Sequence, residues 1–597
     1  MQTQTNVKSL EKAPRMKKRV VILRLLSYLL KHPLWLILAA ILTVSSNLIA
    51  LWGPELAEEA IDAIKGPGNV DFDTVFEKGI TMLLCYALSA ALAFVLSAVM
   101  IHLSRKVVYE MRKQVFEHLV DLPVGYFDRN QTGDLISRLT YDIDTINASL
   151  SNDLIQICAG IITITGAAIQ MARKAPILML VFAVTVPCLI FFTIYRTKKV
   201  KPLFRRRSAK LGELNGYTEE MLSGQKTIRA YGKEEVMISR FDRHNDEAVQ
   251  AHYDADYQGS IVGPSVNFIN NISLSLIYMF GALLYLSGNL TLGALTAFNL
   301  YSRRFAGPIN ETANIISEIQ SATSAAERVF RLIDQPTEAK VKEGDLPLTD
   351  PKGDVELANI NFGYTEERQI LHDVSLVVKK GETIAIVGPT GGGKTTLISL
   401  LMRFYDPTSG EIRIDGQNTY TSHMEDVRHA FAMVLQDTWL FGGTIAENLC
   451  YGNPSVTREQ MEAAAKAARI DDYIRSLPMG YETVLDENGV NISKGQKQLL
   501  TIARAMLVDS PMLILDEATS NVDTRTEQKL QEAMDELMKE KTCFIVAHRL
   551  STVQNASRII VVKDGRIVEV GNHATLLAAG GFYASLYNSQ FEGTLQQ

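Results

Sequence analysis

Long runs without a charged side chain fill the first half of this chain, and they leave few folds open. PLWLILAAILTVSSNLIALWGP (33–54), GITMLLCYALSAALAFVLSAVMI (79–101), LIQICAGIITITGAAIQMA (154–172) and APILMLVFAVTVPCLIFFTIY (175–195) are such runs. Each is close to the ~20 apolar residues that a helix needs to cross a bilayer. Residues 257–302 also carry no charge and are long enough for two spans, with Gly288-Asn289 as a natural turn between them. The bilayer core offers no water to backbone N–H and C=O groups, so each run must close its own hydrogen bonds as a helix. Six spans are expected, which return the chain to the side on which it started.

Lysine and arginine bias sets the orientation. Residues 54–78 are acidic (Glu55, Glu58, Glu59, Asp62, Asp71, Asp73) and are expected outside, while 102–153 and 196–256 are rich in Lys and Arg and are expected inside. Arg173 and Lys174 break the rule, in what reads as a tight outer turn. EKAPRMKKRVVILRLLSYLLKHP lacks the short apolar core and cleavage site of a signal peptide and reads as a basic amphipathic helix on the inner membrane surface, residues 1–32. The two inner segments have a 3.6-residue period, so the membrane helices of 33–334 are expected to run far into the cytoplasm.

After Asp334 the apolar period stops, and residues 335–353, rich in Pro, Gly and charge, read as a linker. In 354–597 short β-rich runs alternate with helices, the pattern of an α/β domain. A length of 597 residues fits two or more domains, and a net charge of −6 gives no reason to propose nucleic acid as a partner. The five scattered cysteines, Cys85, Cys158, Cys188, Cys450 and Cys543, have no metal-ligand spacing and are expected as small buried hydrophobes.

The chemistry lies in the second half. GPTGGGKTT (388–396) follows the apolar run ETIAIV and precedes the helical run TTLISLLMRFY. Strand, glycine-rich loop and helix in that order make a phosphate cradle, in which backbone N–H groups turn inward and the helix N-terminus adds positive potential. Lys394 is expected to neutralise the β- and γ-phosphates of ATP, and the Thr395 hydroxyl to ligate Mg2+. PMLILDEATS (511–520) is an apolar strand ending in two carboxylates, Asp516 for Mg2+ and Glu517 to polarise the attacking water. TCFIVAHRLS (542–551) ends in His548, at the strand end where open α/β sheets collect ligand contacts, and His548 is expected to sense the γ-phosphate. Gln436 in MVLQDTWLF and Tyr364 in INFGY are weak signals taken alone; Tyr364 could stack on adenine.

Tyr364, GPTGGGKTT, Gln436, ISKGQ, LILDE, SNVD and His548 occur in the order found in ATP-binding cassette (ABC) proteins, and with six preceding spans the chain resembles an ABC exporter half-transporter. YFDRNQTGDLISRL (126–139) is similar to that family's first intracellular loop. The resemblance covers nearly the whole chain. It implies a membrane all-α six-helix transmembrane domain followed by an α/β P-loop ABC nucleotide-binding domain, in the cytoplasmic membrane of a bacterium. It also implies a dimer with two ATP sites at the interface, alternating access, and an ATP hydrolase coupled to transport. Residue by residue it implies that ATP is held by Tyr364, Gly388, Thr390, Gly391, Gly392, Gly393, Lys394, Thr395, Thr396, Gln436 and Asp516. Mg2+ falls to Thr395, Gln436 and Asp516, and catalysis to Glu517, His548, Lys394 and Gln436. Ser493, Gly495 and Gln496 are implied to face the partner chain's γ-phosphate from a helix N-terminus.

The family's usual Leu-Ser-Gly-Gly-Gln is altered here at Ile492 and Lys494. An intact Glu517 beside an altered signature resembles one subunit of bacterial heterodimeric multidrug exporters, as do SNVD (520–523) and YSRRF (301–305). A tolerated variant in a homodimer is the alternative. VGYFDRNQ and AYGKEE (230–235) resemble the turns that dock on nucleotide domains, and ENG (487–489) a contact for them. Arg303 and Arg304, counted about 14 residues into the sixth span, lie ~20 Å deep, past the midplane. Charges there line a cavity or pair with another helix, for instance with Glu311, or meet water on the inner side. The leading expectation is ATP-driven efflux of hydrophobic or amphipathic small molecules from among membrane lipids, with a second half-transporter as partner. A homodimeric lipid flippase and an ATP-gated membrane sensor or channel are the alternatives.

Overall fold

The computed structural model describes residues 16–66, 68–338, 344–365, 367–436, 438–485, 492–516, 524–546 and 550–591. The chain parts into two compact units, Met1–Val120 with Thr132–Pro336, and Asp121–Gln131 with Thr337–Gln597.

The first unit is helical. Pro33–Asp62, Phe72–Val120, Thr132–Lys174, Met179–Ser223 and Glu234–Leu286 are long and apolar enough to cross a membrane. The sixth helix, Leu292–Ile333, has 42 residues and so the length, ~63 Å, but not the apolar composition of the other five. Arg303, Arg304 and several small polar residues lie in its first half. Gly288, at φ +76°, makes the turn before it, where the left-handed backbone favours glycine. Asp62 carboxylate oxygens accept from Thr291 Oγ1 and Gly293 N, both at 2.8 Å, and so tie the sixth helix's start to the end of the first span's helix.

Three sequence readings change. The first span's helix does not stop at Pro54 but continues to Asp62, so most of the acidic stretch is helical. Gly53 there is packed tightly: a Cβ on it would lie 2.0 Å from Tyr86 Oη. Lys174, which broke the charge rule, forms an ion pair with Glu58 at 2.8 Å, and both side chains are largely covered. Of the cysteines only Cys543 is buried; Cys158 and Cys188 are exposed, because apolar membrane helices turn part of their surface to lipid rather than to a protein core.

The helix Lys18–Leu30 buries Val21, Tyr28 and Leu29. Tyr28 stacks on Phe330, and Arg24 bonds Asp334 at 2.7 Å, so one face packs along the sixth helix. Val20, Ile22, Leu23, Leu26 and Leu30 are exposed, and Leu25 is half-buried.

The second unit is built on strands β1 (Val355–Phe362), β2 (Leu371–Val378), β3 (Thr383–Val387), β4 (Ser409–Ile414), β5 (Gln417–Asn418), β6 (Phe431–Val434), β7 (Gly443–Thr444), β8 (Val484–Leu485), β9 (Met512–Asp516), β10 (Thr542–Val546), β11 (Arg558–Lys563) and β12 (Arg566–Gly571). One sheet has the order β12-β11-β3-β10-β9-β6, and a second β2-β1-β4-β5. The central pairs β11–β3, β3–β10, β10–β9 and β9–β6 are parallel, while β12 closes the edge antiparallel. Parallel strands covered on both faces need continuous apolar runs, and β3, β9 and β10 are such runs. One core, with Leu397, Ile398, Leu400 and Leu401, lies towards the second sheet; the other, with Leu499, Leu500, Ile502 and Ala503, lies towards the helical side.

Candidate functional site

Register brings the chemistry to one edge. Val546 pairs with Ile386 on one side and Asp516 on the other, and Val434 pairs with Leu515. The C-terminal ends of β3, β10, β9 and β6 therefore lie side by side, and the segments after them carry Gly388, His548, Glu517 and Gln436. Residues 517–523 and 547–549 lie outside the described residues, so Glu517, the SNVD run and His548 are placed only by the strands that lead to them. The ENG run at 487–489 also lies outside. Gln436 is exposed, two residues past β6.

The loop between β3 and the helix Lys394–Leu401 is a cradle that depends on its glycines. Gly388, Gly391 and Gly393 have φ of +150°, +79° and +106°. A Cβ at Gly388 would lie 2.0 Å from the Val562 carbonyl oxygen, and one at Gly392 2.9 Å from the same atom. The β11–β12 turn closes on the loop from outside, with Gly565 N donating to Gly392 O at 3.1 Å. The opposite side is open: Thr390, Gly391 and Thr395 are exposed, while Thr396 is buried. Lys394 is 8% exposed, and its ammonium donates to the carbonyls of Gly388 at 2.8 Å and Pro389 at 3.0 Å. Burial pushes this ammonium below its ordinary pKa, and the Asp516 carboxylate pulls it part of the way back. A buried cation with a nearby carboxylate, behind a helix N-terminus and an exposed hydroxyl, fits a phosphate chain with its metal ion: the nucleotide supplies most of the oxygens that Mg2+ needs.

Tyr364 stands beside this loop, its hydroxyl 3.2 Å from Thr396 Oγ1. Its ring is edge-on to Phe362 at 5.1 Å and to Tyr405 at 5.1 Å. Sequence reasoning missed the rest of this cluster. The Tyr405 hydroxyl bonds the Asp128 carboxylate, and Arg129 Nη2 donates to the Tyr364 carbonyl at 2.8 Å. Gly125 is where the segment comes closest: a Cβ there would lie 2.7 Å from Tyr405 Cε1. The turn VGYFDRNQ, a short helix over Val124–Arg129, thus touches the residue singled out for adenine. The sequence marks VGYFDRNQ as similar to a docking turn but does not mark its partners, which lie 235 and 277 positions away.

Ser493 is the N-cap of the helix Lys494–Met506. Its Oγ accepts from Gln496 N at 3.3 Å, and Gln496 Oε1 accepts from Ser493 N at 2.8 Å. Ser-x-x-Gln before a helical run is the local signal of such a pair. The cap uses a lone pair of the hydroxyl and leaves its proton available to an acceptor. Ser493 and Lys494 are exposed, whereas Ile492 and Gly495 are buried.

In the first unit, Arg303 and Arg304 lie about 11 residues after the start of their helix, ~17 Å along it and shallower than the sequence count, because the helix begins at Leu292. The suggested pair with Glu311 is not formed among the described residues. Arg304 instead lies over the Tyr86 ring at 5.6 Å, and Arg303 is exposed. No group of three or more His, Cys, Asp or Glu side chains that could hold a metal by itself occurs among the described residues.

Comparison with known proteins agrees with this geometry. The family model "ABC transporter transmembrane region" matches residues 36–309, and "ABC transporter" matches 371–520. A Bacillus subtilis protein named "Uncharacterized ABC transporter ATP-binding protein YfiC" is 39% identical over 95% of this chain and 94% of its own length. The "Fatty acid ABC transporter ATP-binding/permease protein" of Mycobacterium bovis is 42% identical over 88% of this chain and 82% of its own. The "ATP-dependent lipid A-core flippase" of Pectobacterium atrosepticum is 35% identical over 88% and 90%. A solved bacterial Atm1-family ABC exporter with ATP bound superposes with a TM-score of 0.77, at 28% identity, over 93% of this chain and 98% of that one. The chain belongs to the ABC transporter family: it is one half of an exporter, a multi-pass protein of the cytoplasmic membrane whose second unit binds ATP and hydrolyses it to drive transport.

Proposed function

We propose that this exporter moves amphipathic, lipid-like molecules with an anionic head out of the cytoplasmic leaflet. The observation that carries this reading is the Arg303–Arg304 pair in the first half of the sixth helix, with no carboxylate partner among the described residues. A charge at that depth is costly unless it meets water, a partner or a ligand. Relatives named for fatty acids and for lipid A-core support the same class, since both are anionic amphiphiles. In this reading Lys394 and the glycine loop hold the phosphates, and Tyr364 holds the adenine. Thr395, Gln436 and Asp516 hold Mg2+, which would neutralise phosphate charge. Glu517 polarises the water, and His548 contacts the γ-phosphate. Efflux of uncharged hydrophobic compounds of the multidrug kind is the broader alternative.

Proteoliposomes test it. ATPase turnover is measured with a long-chain fatty acid, its methyl ester and a neutral dye, beside Glu517→Gln as the zero-turnover control. Stimulation by the acid alone, lost in an Arg303→Gln/Arg304→Gln double variant, is the expected result. Equal stimulation by ester and acid would overturn the anionic-head reading.

A second reading concerns the partner. The exposed Lys494 and the intact Glu517 favour a heterodimer in which this chain completes its partner's ATP site. The oligomeric mass and Mg-ATPase of the chain purified alone decide it. An active homodimer, silenced by Glu517→Gln, would remove the heterodimer.

A further inference from the structure

Between Gln436 and the two-residue strand β7 the described residues form neither helix nor strand. Their backbone groups must therefore find partners outside regular secondary structure. Asn448, on the helix Ile445–Leu449 and 3% exposed, supplies two of them. Its Oδ1 accepts from Phe441 N at 2.9 Å, and its Nδ2 donates to Phe441 O at 2.9 Å. Nδ2 also donates to Thr444 O at 3.1 Å. One amide side chain thus fixes the turn at Phe441.

Arg504 joins this turn to another element. It lies on the helix Lys494–Met506, about three turns on from the N-cap Ser493. Its Nε donates to Asn448 O at 2.7 Å, its Nη2 to Asn448 Oδ1 at 3.0 Å, and its Nη1 to Trp439 O at 3.1 Å. The guanidinium carbon lies 5.6 Å from the centre of the Tyr451 ring, which stacks on Phe441 at 4.4 Å. No carboxylate bonds Arg504 among the described residues, and burial pushes its guanidinium below the ordinary arginine pKa. A half-buried cation met by neutral acceptors bears a desolvation cost that a carboxylate partner would offset. What the guanidinium provides here is a rigid fork that reaches three acceptors at once, which a lysine cannot do.

Trp439 stands three residues past Gln436, and Ser493 heads the helix that carries Arg504. A single side chain therefore spans from the segment that follows one site residue to the helix that begins at another.

We propose that Arg504, with Asn448 beside it, is a positioning residue that holds the segment after Gln436 against the helix headed by Ser493, so that these two residues keep one spacing as Mg-ATP binds. It acts through them and touches no nucleotide itself. The proposal rests on the roles proposed for Gln436 and Ser493.

Trp439 is a native reporter of the strap, since the other two tryptophans, Trp35 and Trp52, lie in the first span's helix. The full chain carrying Trp35→Phe and Trp52→Phe is placed in nanodiscs, and acrylamide quenching of Trp439 is read with and without Mg2+ and a non-hydrolysable ATP analogue. The nucleotide is expected to change the quenching constant. That change is expected to be lost in Arg504→Gln, in Arg504→Lys and in Gln436→Ala. A dissociation constant for a fluorescent ATP analogue within about twofold of wild type in the Arg504 variants shows that the glycine loop is intact. ATPase turnover of the assembled exporter, counted per bound ATP, is expected to fall about tenfold or more at unchanged KM, since a misplacement of about 1 Å can cost that much. Asn448→Asp serves where the Arg504 variants do not fold: it gives Arg504 a carboxylate and removes the Nδ2 bonds to Phe441 and Thr444. The same loss of response at retained ATP affinity is expected. A Trp439 that ignores nucleotide, a response retained in Arg504→Lys or in Asn448→Asp, or wild-type turnover per bound ATP in Arg504→Lys would overturn the proposal and leave Arg504 a structural residue. A response lost in the Arg504 variants but retained in Gln436→Ala would remove the Gln436 reading, and the proposal with it.

Discussion

Ser493 has one observed role and one proposed role, and substitution can separate them. It caps the helix Lys494–Met506 through Oγ, and the hydroxyl proton of this exposed residue is proposed to meet a phosphate of the partner's ATP. Ser493→Ala removes the cap at a cost of about 1 kcal/mol. The Ser493 N to Gln496 Oε1 bond survives, so the loss stays local. Hydrogen exchange of the first-turn amides, residues 495–497, is expected to quicken roughly fivefold, since ~1 kcal/mol is that ratio. Ser493→Asp caps as well as serine, and its charge favours the helix N-terminus. Exchange in Ser493→Asp is therefore expected at the wild-type rate. Activity runs the other way. A carboxylate about 4 Å from a phosphate charge, at an effective dielectric of about 20, is opposed by ~4 kcal/mol, about a thousandfold. ATPase turnover is expected to fall in the order wild type, Ser493→Ala, Ser493→Asp, while first-turn protection falls in the order wild type and Ser493→Asp together, then Ser493→Ala. If both quantities fell in the same order, Ser493 would be a cap and nothing more.

Three further outcomes are expected. Gly388→Ala must place a methyl 2.0 Å from the Val562 carbonyl oxygen at a φ of +150°, so binding of a fluorescent ATP analogue is expected to be lost while the chain still inserts in the membrane. Tyr405→Phe keeps the ring against Phe362 and Tyr364 and removes only the bond to Asp128, a hydrogen bond to a charged group worth ~1.5–3 kcal/mol. ATP affinity is expected to stay near wild type, with substrate stimulation of the ATPase reduced; unchanged stimulation would mean that the contact carries no coupling. Burial pushes the Cys543 thiol up to about 12, and the side chain is 0% exposed. The thiolate is the reactive form, so a soluble maleimide at pH 7.5 is expected to leave Cys543 unmodified until the second unit is unfolded, as read by peptide mass.

The glycine-loop cradle was legible because its determinants are local. A cradle needs glycines, a lysine and a helix start within nine residues, GPTGGGKTT, and the strands before Gly388 and Asp516 announce themselves as apolar runs. The cap at Ser493 is local too, four residues wide. The membrane helices were legible because hydrocarbon demands length and apolarity before anything else, and the sixth helix departs from that demand at Arg303 and Arg304.

The remainder depended on distance. Glu311 lies on Arg304's own helix, seven residues and about two turns on, and a neighbouring helix brings Tyr86 to Arg304 instead. Lys174 looked misplaced until Glu58 was found beside it, and Tyr364 looked like a lone aromatic until Tyr405, Asp128 and Arg129 closed around it. The helix runs through Pro54, and the bare backbone of Gly53 beside it leaves room for Tyr86, which comes from a different helix. Periodicity and spacing record what each segment demands of its solvent and of its own backbone. They do not record which distant segment arrives to meet it, and the charges and rings that function uses are paired by that arrival.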